Sequence, residues 1–416
     1  MAMPSSSPSG VPDRQRRSSS LPRPLHVVQV GYDDTVFADA APSDTLPRQL
    51  RYARELERQR PGSQMSVLMF TGKPAACSFR RENALFVPVH ATRPHEIPKL
   101  YTALASLHRE RPIDVIATQS IYQDAWVALL FGWRHGIRVI GQVHNDIFSP
   151  IARREATGHG LLGRARHGLG MLVIRRLYAV RVVSQRVRIR MLAEGIHPNV
   201  QLMPVPITMA PPRWLGDSEG SPGARVLFVG RLVAEKNLDA WLRVAALVAP
   251  VHPEASFDIA GDGPLLAHLR QEAERLGLAS RVNFLGSVPY EALPALYRSA
   301  AVFLITSHCE GFGRVAVEAS LQGVPVVGRR ISGIEDIVED CRTGFLERSG
   351  DDRGMANSVA RLLSDHALRQ WMGKAAHELA LARFDPQTLS RSWVSLLVSA
   401  AAKSASDPAS QSEGAR

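Results

Sequence analysis

The chain has 416 residues, a length that suits two domains of about 150–200 residues each better than one core. Apolar residues make up 45% and charged residues 21%, the usage of a globular protein, and no stretch reaches the ~18 apolar residues that a membrane span needs. The formal charge of +11 points to an anionic partner: nucleic acid, a lipid headgroup surface or a phosphorylated small molecule.

Residues 1–23 are rich in Ser, Pro and Arg without an apolar core, which predicts a disordered arm rather than a signal peptide. From Leu25, LHVVQVG reads as a buried strand, and RQLRYARELERQ after it has helical spacing up to Pro61-Gly62. MSVLMFTG, IDVIATQS, IRVIGQVH and YAVRVVS are further strands, separated by helical text such as IPKLYTALASLHRER. Strands alternating with helices predict a parallel sheet covered on both faces, here a first domain over 24–210. A Pro, Gly and Ser cluster then predicts a linker at 211–224.

The rhythm restarts with ARVLFVG and runs through NLDAWLRVAALV, ASFDIAG, PLLAHLRQEAERLG, RVNFLG, YEALPALYRSA and AVFLITS, a second domain over 225–384. A helix at 385–403 is expected to pack back on the first domain, and a polar tail at 404–416 to be disordered. The expected fold class is α/β, with two facing doubly wound, Rossmann-like domains enclosing one cleft at the carboxyl ends of their strands. Cys77, Cys309 and Cys341 are odd in number and lack metal-ligand spacing, so neither a disulfide framework nor a metal site is expected, and a reducing cytoplasm fits.

Three loops of the second domain fall at that cleft. In GRLVAEK, Arg231 and Lys236 flank a short loop before a helix near Asn237, a place for a diphosphate; alone, the loop is equally well an exposed basic one. In GDGP, Gly261 to Pro264, Pro264 suits a first helical position and the glycines allow close approach to a ligand, or simply punctuate a turn. In EGFGRVAVE, Gly311 and Gly313 expose backbone amides, Glu310 projects into the crevice and Glu318 lies on the following helix, so both glutamates can accept bonds from the hydroxyls of one long ligand. A glutamate at a helix start is also favourable on dipole grounds alone.

GRLVAEKN, GDGP, RVNFLGSV, EGFGRVAVEAS, LQGVPVVG and SGIEDIVEDCRTGFL, in this order, resemble the retaining glycosyltransferases of the GT-B fold, family 4. The resemblance implies that Arg231 and Lys236 bind the donor diphosphate and that Glu318 holds the ribose. It implies that Glu310 contacts the donor sugar, with Gly311, Phe312 and Gly313 close to it, and that Ser287 and Val288 seat the base. QVHNDIF resembles the family's strand-end histidine segment, which puts His144 in the cleft near sugar and acceptor, with Asp146 as its companion. The sequence departs from the family pattern in lacking a glycine-rich turn after the first strand beyond Gly31, in Ser332-Gly333 where a Gly-Gly pair is common, and in Arg314 where a proline or an apolar residue is usual.

The implied reaction is retaining transfer of a sugar from a UDP- or GDP-linked donor to a glycan or lipid-linked acceptor, in bacterial surface polysaccharide or glycolipid synthesis. Because no Asp-x-Asp occurs, a metal-independent leaving-group site without a cofactor is expected, with cations stabilising the departing phosphate. Between 153 and 190 lie ten arginines against one acid, Glu155, interleaved with apolar text, which fits docking on an anionic membrane surface from the cytoplasmic side. The competing readings are a nucleotide-sugar epimerase of the same fold and a non-catalytic membrane or nucleic-acid binder. Few aromatics in the basic segment argue against nucleic acid.

Overall fold

The computed structural model describes residues 23–37, 44–91, 98–158, 160–212 and 223–402. Residues 1–22 of the expected arm, 213–222 of the expected linker and the tail at 404–416 lie outside them.

The first half is a sheet of eight strands among the described residues: β1 (His26–Gly31), β2 (Gln64–Thr71), β3 (Phe79–Arg81), β4 (Ala84–His90), β5 (Val115–Thr118), β6 (Arg138–Val143), β7 (Ala179–Val182) and β8 (Val200–Leu202). Their order is β3-β4-β2-β1-β5-β6-β7-β8, and only β3 runs antiparallel to its neighbour. Every residue of β1, β5 and β7 is buried, because helices cover both faces and leave no solvent side for polar alternation. The covering helices are α1 (Thr45–Gln59), α2 (Pro98–Glu110), α3 (Gln123–His135), α4 (Pro150–Thr157), α5 (Gly160–Ile174) and α6 (Gln185–Ala193). Val28, Leu68 and Ile116 pack with Phe131 and Ile174 on one face, while Val27, Met65 and Val67 pack with Tyr52 and Leu56 on the other.

The second half is wholly parallel: β9 (Arg225–Val229), β10 (Ser256–Ala260), β11 (Val282–Gly286), β12 (Val302–Ile305), β13 (Val326–Arg329) and β14 (Gly344–Glu347), in the order β11-β10-β9-β12-β13-β14. Its helices are α7 (Leu238–Val248), α8 (Leu266–Arg275), α9 (Leu293–Arg298), α10 (Arg314–Leu321), α11 (Asp352–Ser364) and α12 (His366–Phe384). In each sheet the strand order reverses beside the first strand, β1 or β9, and a crevice opens at the carboxyl end of such a switch point.

A last helix, α13 (Pro386–Ala401), begins where the Asp385 carboxylate accepts the Thr388 amide at 2.7 Å and Pro386 occupies the first turn. It crosses to the first half, where Trp393, Val394 and Leu397 are fully buried beside Tyr52 and Leu56 of α1. The halves also meet through Ser184 and Ser332, whose hydroxyls lie 2.9 Å apart, the Gln185 amide on Asp336 at 2.9 Å, and a two-bond pair from Arg186 to Glu335 at 2.6 Å.

The GDGP loop corrects two expectations. α8 starts at Leu266, so Pro264 sits in the turn before it. The glycines face protein rather than a ligand space: a β-carbon on Gly261 would lie 1.8 Å from the Gly230 carbonyl oxygen, and one on Gly263 2.6 Å from that of Leu232. Their role is to let this loop lie against the loop after β9.

Candidate functional site

A cavity of about 350 Å³ opens between the carboxyl edges of the two sheets. Gly31, Arg48, Gln142, His144 and Arg181 wall it from the first half, and Arg231, Glu235, Lys236 and the run Glu310 to Arg314 from the second.

β9 delivers Gly230 and Arg231 to this edge, and a single 3-10 turn, Ala234–Lys236, follows. Asn237 at φ 48° then turns the chain into α7. The turn is pinned to the loop after β12, since the Thr306 hydroxyl bonds the carbonyls of Lys236 and Asn237 at 3.2 and 3.0 Å and the His308 amide donates to Glu235 at 2.8 Å. Lys236 Nζ consequently donates to Glu310 Oε1 at 2.7 Å, and the Ser307 hydroxyl reaches the same oxygen at 2.7 Å. Arg231 donates to Glu235 at 2.9 Å and stays 74% exposed. The two cations thus converge on one wall, each held by a carboxylate, in a place where an incoming diphosphate can exchange for those partners.

Gly311 touches the other half: a β-carbon there would lie 1.7 Å from the His144 carbonyl oxygen. Phe312 is buried with its ring edge-on to Phe384, and Gly313, at φ 82°, precedes α10. Gly333, at φ 86°, lies under the backbone of Glu310 and Phe312.

His144 directly follows β6, and its Nε2 is sealed from solvent with no hydrogen-bond partner among the described residues. Burial, then the nearby charges of Arg181 and Arg48, push its pKa down to about 3, so the ring is neutral at neutral pH. Asp146, expected as its companion, instead accepts the Phe148 amide at 3.0 Å and shapes the turn into α4. Beside His144 a second cavity of about 260 Å³ is lined by Tyr32, Gln119, Ser120, Tyr122 and Ile147.

The structure does not bring Glu318, Ser287 or Val288 to the open cavity wall. Glu318 is 2% exposed on α10, with Arg314 Nε on one oxygen at 2.7 Å and the Tyr297 hydroxyl on the other at 3.0 Å. Burial, opposed by Arg314, raises its pKa. Ser287 is exposed and Val288 half-buried in the loop after β11.

Sequence reasoning missed the cations of the first half. Arg181 projects from β7 and is buried, donating to Met203 O at 2.8 Å, Gln142 Oε1 at 2.9 Å and Pro204 O at 2.7 Å, with its guanidinium over the Trp393 ring. Its signal was present: a charged residue inside the apolar run AVRV has to be paired inward. Arg48 pairs with Asp44 at 2.9 Å, an i,i+4 contact at the start of α1.

This also corrects the reading of 153–190 as one basic surface. Arg181 faces the cavity, Arg186 pairs with Glu335 and Arg190 with Glu194, so these three serve the protein itself. Arg154, Arg164, Arg175 and Arg176 remain exposed without a carboxylate partner among the described residues. Near them Leu161, Leu162 and Leu172 of α5 and Trp133 of α3 are 82%, 73%, 58% and 84% exposed. Among the described residues no helix is long and apolar enough to cross a membrane, and no group of three or more His, Cys, Asp or Glu is placed to hold a metal ion.

Residues 219–379 match the family described as Glycosyl transferases group 1, and residues 45–207 match the Glycosyl transferase 4-like domain. The chain is 36% identical over 159 residues to the D-inositol 3-phosphate glycosyltransferase of Corynebacterium diphtheriae, 37% of either chain. It is 31% identical over 159 residues to the alpha-D-kanosaminyltransferase of Streptomyces kanamyceticus, 38% of this chain and 41% of that one. These matches therefore span about two fifths of the curated relatives' length. Among solved structures, sucrose-phosphate synthase from Thermosynechococcus elongatus superposes with a TM-score of 0.76 at 19% identity, over 90% of this chain and 98% of that one. Anabaena HepE in complex with UDP gives 0.67 at 19% identity, over 90% and 100%, and at such identity both likenesses speak for the fold. With both halves matched and the two facing parallel sheets of the GT-B fold in place, the chain belongs to the group 1, family 4 glycosyltransferases.

Proposed function

We propose that the protein transfers a sugar, with retention and without a metal ion, from a UDP- or GDP-linked donor to a glycan or lipid-linked acceptor of a bacterial surface polysaccharide or glycolipid. The observation that carries the reading is the meeting of Arg231, Lys236 and Glu310 on one cavity wall, opposite a neutral, unpartnered His144.

In this reading the donor diphosphate takes Lys236 from Glu310 and Arg231 from Glu235. Glu310, freed, accepts bonds from the sugar hydroxyls beside Gly311, Phe312 and Gly313, and the neutral His144 ring bonds the sugar or acceptor from the other side. Glu318 receives the ribose hydroxyls, and Ser287 and Val288 flank the base. The bond from the anomeric carbon to the diphosphate oxygen breaks as the acceptor oxygen bonds that carbon on the same face, and the acceptor proton passes to the departing phosphate. Arg231 and Lys236 stabilise the charge that grows on that phosphate.

The membrane part of the reading is the exposed leucines of α5 with Trp133 and the exposed Arg154, Arg164, Arg175 and Arg176, a combination that suits an anionic bilayer at the cytoplasmic face. Phosphatidylglycerol vesicles should sediment the protein, phosphatidylcholine vesicles should not, and serine at 161, 162 and 133 should abolish the difference. Absence of any sedimentation removes the membrane part alone.

Calorimetric titration with UDP, GDP and ADP in EDTA tests the donor half. Binding of one of the three is expected, and binding of none overturns the reading.

A further inference from the structure

Arg314 opens α10 at the position where the family resemblance leads one to expect a proline or an apolar residue, and its guanidinium spans the two halves. Nε donates to Glu318 Oε1 at 2.7 Å within its own helix, while Nη1 pairs with Asp44 Oδ1 at 2.7 Å just before α1. The Tyr290 ring lies 5.1 Å from the guanidinium carbon. The Asp44 and Glu318 carboxylates are only 5% and 3% exposed, so neither readily replaces Arg314 by water. Burial opposes the Arg314 charge, yet the two carboxylates outweigh it and raise the pKa of the group. Asp44 in turn holds Arg48, which lines the cavity. A row of alternating charge, Glu318, Arg314, Asp44, Arg48, therefore runs from the covered carboxylate of the second half to the cavity wall of the first.

We propose that Arg314 is a positioning residue that links nucleotide binding to the contact between the halves. Bound to both carboxylates, it covers Glu318 and ties α10 to α1; a nucleotide whose ribose hydroxyls engage Glu318 does so by displacing it. The inference rests on the reading above in which Glu318 receives the ribose. Displacement leaves Asp44 paired with Arg48, so no buried carboxylate is orphaned on the first-half side. Linkage is reciprocal, and whatever weakens the Arg314 contact to Asp44 must tighten nucleotide binding.

The test is a double-mutant cycle read by calorimetry on the full chain, titrated with UDP, GDP and ADP. Asp44→Asn and Arg314→Met are each expected to tighten the bound nucleotide's Kd by about tenfold, the scale of one partly buried ion pair. The double variant is expected to be no tighter than Arg314→Met alone, because the contact to Asp44 is already gone once Arg314 is replaced. Arg314→Lys, whose one ammonium cannot fork between two carboxylates, should fall between wild type and Arg314→Met. If Arg314→Met melts within the assay range, Asp44→Asn and Arg314→Lys carry the comparison. Variants that bind like wild type or more weakly, or single effects that add in the double, overturn the link while leaving the nucleotide site standing. Wild-type protein that binds none of the three nucleotides overturns the nucleotide reading, and this inference with it.

Discussion

Replacing Gly311 by alanine should push the two halves apart where their backbones touch. A β-carbon there falls 1.7 Å from the His144 carbonyl oxygen and 2.9 Å from the Asn145 α-carbon, whereas real β-carbons essentially never come within 3.0 Å. One side must retreat by more than about 1 Å, and neither side is a flexible side chain. His144 follows directly on β6, and the Gly311 loop is held through Glu310 by Lys236 and Ser307. The retreat therefore moves His144 and Glu310 apart, and a misplacement of ~1 Å at reacting groups lowers a rate by about a hundredfold. Overpacking of this kind takes about 1–3 kcal/mol from stability. Once calorimetry has named the nucleotide, turnover of its sugar conjugate, nucleotide binding and thermal unfolding are measured on Gly311→Ala together. Turnover should fall about a hundredfold, while nucleotide affinity, which the proposed function assigns to the second half, should change by no more than the roughly tenfold carried by the Arg314 tie to Asp44. Wild-type turnover with an unchanged Tm would refute the contact on which this reasoning stands.

Four further outcomes are expected. Lys236→Ala should weaken nucleoside-diphosphate binding by about 10–100-fold, whereas Glu310→Gln should abolish turnover and keep most of the binding; full turnover in Glu310→Gln sinks the sugar role. The folded-state pKa of His144, about 3, lies below the ordinary 6.5, so its stabilising effect is complete above pH 6.5 and is lost as pH falls toward 3. Because burial pushes His26 the same way, the readout is the difference between wild type and His144→Gln in Tm from pH 7 to 5, where the variant should show the shallower decline. Trp393→Ala, which empties a fully buried site, should remove about 3–5 kcal/mol from the first half, measured by denaturant unfolding, and a loss under 1 kcal/mol would mean that α13 is not part of that core.

The fold was legible in the sequence because a parallel sheet writes itself locally: VLFV and VFLI are continuous apolar runs between helical segments, and each becomes a strand of the second sheet. The loops bearing Lys236 and Glu310 were legible for the same reason, as each directly follows such a run. What no spacing could reveal is which residues from distant segments share the cavity. Arg48 and Arg181 reach it from α1 and β7 through sheet order alone, and nothing near Glu318 in sequence announces that Asp44, over 250 positions earlier, shares its arginine. The arginine run misled in the opposite way, because local charge density says nothing of which guanidiniums have already found carboxylates or carbonyls inside the protein.

The return of α13 sets an order of assembly. One core of the second half lies wholly between Val226 and Met372 and can close as soon as that stretch is made. The face of the first sheet that carries Val27, Met65 and Val67 needs Trp393, Val394 and Leu397, which a ribosome adds more than three hundred residues after β1 and β2 have emerged. During synthesis that apolar groove stays open while the later domain folds, so the half made first is completed last, and chaperones have a defined strip of nascent chain to shield until α13 arrives.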